Sequence, residues 1–115
     1  MASVVKAFQP SGILDGINGN QLRREIISAV ETGVDLVLLD LQDVTFMNSA
    51  GIGTLLAALR AVRTKGSNIF ICSINEQVKM LFNMTKMERI FNIYSSRDEF
   101  NSKILSPDRQ LLENH

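Results

Sequence analysis

The chain is poor in the residues that make enzymes, metal sites and membrane anchors. Of 115 residues one is cysteine, Cys72, and one is histidine, His115. A single cysteine closes no internal disulfide, which fits a reducing compartment. Cys72 lies in an apolar run and reads as a small core residue. A histidine at the last position is not held as a general base or a metal ligand, so a Ser-His hydrolase has no base to use. No Cys/His cluster, P-loop or dinucleotide glycine motif is present, and neither catalysis nor a cofactor is expected. Twelve basic residues balance twelve acidic ones. That leaves no global field to draw nucleic acid or an anionic membrane. No apolar run is long enough to span a bilayer, and Met1 to Lys6 holds no long apolar stretch of a secretory leader. The expectation is a soluble cytoplasmic protein.

What is present is an ordinary globular composition, 45% hydrophobic and 21% charged, at the length of one domain. Residues 3–8 and 12–14 read as short strands. Residues 15–20 are dense in turn formers and read as a loop, with Asn20 able to cap a helix carrying Leu22, Ile26, Ala29 and Val30. Residues 35–41 form an apolar run suited to a strand covered on both faces. Residues 42–48 read as a loop. A second helix follows, with Ile52, Leu55, Leu56, Leu59 and Val62 on its apolar face and Arg60, Arg63 and Lys65 near its end. Residues 69–72 read as another buried strand. Ser73 with Glu76 offers a capping box for a third helix bearing Val78, Leu81 and Phe82. A last strand is expected over residues 90–94. Ser96 with Glu99 offers a second capping box for a final helix with Phe100, Ile104 and Leu105, stopped by Pro107. Residues 106–115 read as a polar, frayed tail after a domain spanning residues 1–105. Strands alternating with helices predict an α/β domain with a mostly parallel sheet of four or five strands and about four helices.

The chemistry concentrates between residues 40 and 53. Ser49 stands where a helix N-cap belongs. Gly51 and Gly53 remove side chains from the first helical turn and permit close approach, whether of a partner surface or of another helix. A phosphate on Ser49 would bring roughly −1.5 to −2 charge to the positive end of a helix dipole, changing the surface without melting the helix. On spacing alone, an ordinary capping serine is the better account of the position, as most serines at helix starts are caps. Asp40 and Asp43 suggest a receiver-type magnesium site, which also needs early acidic residues and a late lysine; the first strand has no acidic pair, and the two read as solvated turn carboxylates. Met80, Met84 and Met87 read as core packing, with an adaptable partner surface as the alternative.

Phe46, Met47, Asn48, Ser49, Ala50, Gly51, Ile52 and Gly53 resemble the signature of the STAS family, the anti-sigma-factor antagonists. That signature is an aromatic-Met pair followed by Asp-Ser-Ser/Thr-Gly-Leu-Gly. Gly12 to Asp15 resembles the family's Gly-Glu-Leu-Asp, residues 78–85 and 90–94 its third helix and last strand, and residues 96–99 the start of its last helix. The resemblance covers residues 3–105. It implies a STAS-like fold and a phosphoacceptor at Ser49, with Thr45 a poor second. It also implies a partner-switching role: the unphosphorylated form binds an anti-sigma factor that is a serine/threonine kinase of the GHKL type, phosphorylation separates the two, and a PP2C-type phosphatase restores binding. Asp15, Met47, Asn48, Ala50, Gly51 and Gly53 are the residues to shape the docking surface. Asp15 either contacts the partner or shapes an Asx turn. The alternative within the family is a non-phosphorylated scaffold or ligand-sensing domain. Three positions depart from the pattern: Asn48 replaces the acidic residue, Ala50 the second hydroxyl, and Lys86 a turn glycine.

Overall fold

The computed structural model describes residues 3–105 together with Gln110 and Leu111. Two short strands open the chain, β1 at Val4–Phe8 and β2 at Gly12–Leu14, and helix α1 follows at Gly16–Glu31. Then come β3 at Leu36–Asp40, β4 at Val44–Met47 and α2 at Ser49–Arg63. The chain continues with β5 at Asn68–Cys72, α3 at Glu76–Met84, a 3-10 turn at Met87–Arg89, β6 at Asn92–Tyr94 and α4 at Arg97–Ile104. Gln110–Leu111 form β7.

The main sheet runs in the order β6-β5-β3-β1-β7, and every neighbouring pair is parallel. The apolar runs Leu36 to Leu39 and Ile69 to Cys72 occupy its middle, because a strand covered on both faces needs apolar side chains in both directions. One face packs Val37, Leu39, Ile69 and Ile71 against α1, α2 and α3. Within that layer Ile26, Leu55, Leu59 and Phe82 are fully buried. Each such side chain stabilises the fold by roughly 1.5–3 kcal/mol on removal from water. The other face packs Val5, Ala7, Leu38, Phe70 and Cys72 against Phe100 of α4. Phe70, Tyr94 and Phe100 form an aromatic group there, with ring centroids 5.4–6.3 Å apart. Cys72 is a buried free thiol in this layer, and burial pushes its pKa up to about 11.

The α/β architecture stands as expected, with four corrections. The loop expected at 42–48 contains β4, which pairs in parallel with β2 to make a separate two-stranded sheet. Only four residues long and half exposed, β4 shows no alternation that would mark it. Helix α1 begins at Gly16, because Asp15 and not Asn20 is the N-cap: the Asn18 N–H donates to Asp15 Oδ1 at 2.9 Å. Helix α3 is capped by Asn75, whose Oδ1 accepts from the Val78 N–H at 2.9 Å, while Ser73 turns the chain in a left-handed conformation at φ 64°. Of the expected tail, Gln110 and Leu111 pair with β1; its other residues, Pro107 and His115 included, lie outside the described residues. The Ser96 cap of α4 is in place, with Glu99 reaching back to the Ser95 N–H.

Candidate functional site

The segment singled out in the sequence is where β4 hands over to α2. Asn48 is the N-cap: its backbone is extended and its Oδ1 accepts from the Gly51 N–H at 2.8 Å. Ser49 is therefore the first helical residue and not the cap, which corrects the expectation. The reason is chemical, since an Asn carbonyl caps as well as a Ser hydroxyl and stands one residue earlier. The Ser49 side chain is exposed, and its hydroxyl makes no hydrogen bond among the described residues.

Met47 was expected on the rim of a docking surface. It is fully buried, in the layer beneath α2, and presents no side chain outward. Gly51 is also buried. A β-carbon there would collide with the Leu14 carbonyl oxygen, so this glycine serves the close approach of α2 to β2. Gly53 differs: it is exposed, and a β-carbon there would meet open space. Ala50 is exposed beside Gly16, where a β-carbon would come within 3.2 Å of the Ala50 Cβ. Asp15 is half-buried, its carboxylate engaged as the α1 cap. Thr45 is exposed on β4, with its carbonyl bonded by Asn75, the cap of α3.

Gly16 lies against Ala50 and Gly19 against Thr54, so α1 and α2 run side by side in the same direction. Their N-termini meet next to Ser49. Each contributes a partial positive charge there, and α2 has no acidic residue in its first turn. Around this mouth three large apolar side chains face solvent: Ile17 at 81% exposed, Ile13, and Phe46, the last two paired across β2 and β4. Met80 and Met84 on α3 are 63% and 74% exposed, against the expectation that they fill the core; Met87 does pack against it.

Sequence reading missed two polar devices. One is a relay at the end of the main sheet. Asp40 is buried and paired with Arg97, Nε to Oδ2 at 2.6 Å, not solvated as expected. Arg97 also donates to Gln9 at 2.9 Å, and Gln9 donates to Asp43 at 2.9 Å. The other covers the outer edge of β4. Asn75 Nδ2 donates to the Val44 and Thr45 carbonyls, and Gln77 bonds both the N–H and the C=O of Met47. Neither shows in the chain, since the partners stand 30 or more residues apart and each residue alone is an unremarkable polar one. No group of three or more His, Cys, Asp or Glu among the described residues is placed to hold a metal ion, and no helix among them is long and apolar enough to cross a membrane.

A STAS domain model matches residues 3–100. The anti-sigma F factor antagonist of Paenibacillus polymyxa is 28% identical over 87 residues, covering 75% of this chain and 74% of that one. The unphosphorylated form of the Bacillus anti-sigma factor antagonist SpoIIAA superposes with a TM-score of 0.71 at 17% identity, covering 89% of this chain and 90% of that one. The STAS domain of a SulP transporter from Vibrio cholerae superposes with a TM-score of 0.66 at 18% identity, covering 80% and 73%. Such structural likenesses speak for the fold alone. With the family match spanning nearly all of its described residues, the chain belongs to the STAS domain family.

Proposed function

We propose that this STAS domain is an anti-sigma factor antagonist whose docking is switched by phosphorylation of Ser49. One observation carries the reading: the Ser49 hydroxyl is exposed at the first position of α2, free because Asn48 does the capping. Relatives named as anti-sigma factor antagonists support the general role. In the unphosphorylated state the mouth of α2 is ringed by apolar side chains, with Ile13, Ile17 and Phe46 exposed and Gly53 leaving room for a partner backbone. A GHKL-type kinase that is also an anti-sigma factor docks there. Ser49 Oγ takes the γ-phosphoryl group of ATP, and ADP leaves. The phosphate is tolerated by α2, since it sits at the positive end of that helix and Asn48 brings no negative charge next to it, while the Asp15 carboxylate already offsets the positive end of α1. The docked partner tolerates it poorly, because a dianion trapped at a dry interface without a matching charge costs several kcal/mol. Hydrolysis by a PP2C-type phosphatase resets the surface.

Incubation with ATP and the cognate kinase is expected to retard the wild-type chain on a phosphate-affinity gel and leave Ser49→Ala unshifted. In a pull-down, wild type retains the kinase and Ser49→Asp loses it. An equal shift in Ser49→Ala, or none in wild type, rejects the switch. The second reading is a non-phosphorylated STAS scaffold or ligand-sensing domain. It gains the ground if wild type takes no phosphate.

A further inference from the structure

Gln77 sits in the first turn of α3, yet its side chain does nothing for that helix. Its Oε1 accepts from the Met47 N–H at 2.9 Å and its Nε2 donates to the Met47 carbonyl at 2.8 Å. A primary amide has the donor and acceptor of a peptide group on one plane, so Gln77 stands in for a neighbouring strand. The position matters because Met47 is two residues before Ser49. On the other side of the segment, the Asn48 N–H approaches the Leu14 carbonyl at 3.4 Å, and Asn48 Oδ1 holds Gly51. Met47 is thus clamped by α3 and Asn48 by β2 and α2. Ser49 is the first residue after the clamp with a side chain left to move.

Edge covering alone does not account for this. Asn75 already occupies the Val44 and Thr45 carbonyls, and an edge is protected against other strands by much less than a two-point match. The two-point match fixes the orientation of the two peptide units that flank Met47, and through them the direction in which the chain enters α2. Resting on the reading of Ser49 as phosphoacceptor, we infer that Gln77 is a positioning residue for phosphoryl transfer: its amide sets where Ser49 Oγ stands relative to the kinase's ATP. In-line transfer is sensitive to such placement, and a displacement of about 1 Å costs about 100-fold in rate. Gln77 touches neither ATP nor the reacting oxygen.

The test compares wild type, Gln77→Leu, which keeps the bulk and loses both bonds, and Gln77→Glu, which keeps the acceptor and loses the donor at neutral pH. Phosphorylation of Ser49 by the cognate kinase is followed for kcat and KM. Native-state hydrogen exchange is followed at the Met47 amide and, as a control on the fold, at Val37 and Leu39 in the main sheet. The expected result is a kcat lowered about tenfold or more in Gln77→Leu with KM within about twofold, faster exchange at Met47, and unchanged exchange at Val37 and Leu39. Gln77→Glu falls between the two and covers the case in which Gln77→Leu does not fold. Wild-type kcat in folded variants whose Met47 amide exchanges faster overturns the role of Gln77 and leaves the Ser49 reading intact. A wild-type chain that takes no phosphate overturns both.

Discussion

At the scale of single residues, conformation and burial decide what a side chain is for. Lys86 adopts φ 64°, in the left-handed region that a β-carbon makes costly. No side-chain hydrogen bond caps the 3-10 turn there to offset it. Lys86→Gly removes the clash and adds back some freedom to the unfolded chain, so the expected net gain is about 0.5–1 kcal/mol. Urea denaturation would read it as a higher midpoint at unchanged slope; a lower midpoint would refute it. This position was legible beforehand, because the resembled family places Gly in that turn. The Asp40–Arg97 pair was not. Its partners are 57 residues apart, and nothing near Asp40 distinguishes a buried carboxylate from a turn carboxylate. Ser49 was found by its neighbours, but its role as N1 and not N-cap depended on which of two adjacent capping residues the backbone turned inward.

Among elements, the crossing of α1 and α2 sets the site. Gly19 is buried against Thr54, whose Cβ would stand 3.0 Å from a β-carbon on Gly19 and whose Oγ1 would overlap it. Thr54 Oγ1 is held to the Gly51 carbonyl at 2.6 Å and does not yield easily. Gly19→Ala should therefore destabilise by about 1–3 kcal/mol through overpacking. Adding Thr54→Ala should recover part of that loss, measured as a coupling energy in a double-mutant cycle. Strict additivity of the two changes would count against direct contact. Helix α2 and the two central strands were readable, since long apolar periodicity and uninterrupted β-rich runs carry their own signal, and α4 was readable from its Ser96–Glu99 capping box. The start of α1 and strand β4 were not. Two glycines and two asparagines hide the first turn of α1, and β4 exists because β2 and the α3 amides pair with it.

For the whole molecule, the two packed layers share one sheet. Leu38, Phe70 and Cys72 point to one face while Val37, Leu39, Ile69 and Ile71 point to the other. Losing either layer strips the same strands. The chain holds one tyrosine and no tryptophan, so Tyr94 fluorescence reports on the Phe70–Phe100 side alone. The expected outcome is a denaturation curve from Tyr94 that coincides with one from far-ultraviolet circular dichroism, with Cys72 becoming open to thiol reagents in the same transition. Separated midpoints would mean that the α4 side comes away first.

Helices laid alongside each other in one sense, as the Gly16–Ala50 and Gly19–Thr54 contacts require, add their electrical moments where an antiparallel pair would cancel them. Asp15 at the head of α1 and Arg60 and Arg63 in the last turn of α2 offset these moments in part, so a visitor meets what remains of them. Approach would be guided over a Debye length of about 8–10 Å and blunted by added salt, while the grip after arrival depends on fit. Arrival and retention are thereby separable quantities, and the first is written into how two helices cross.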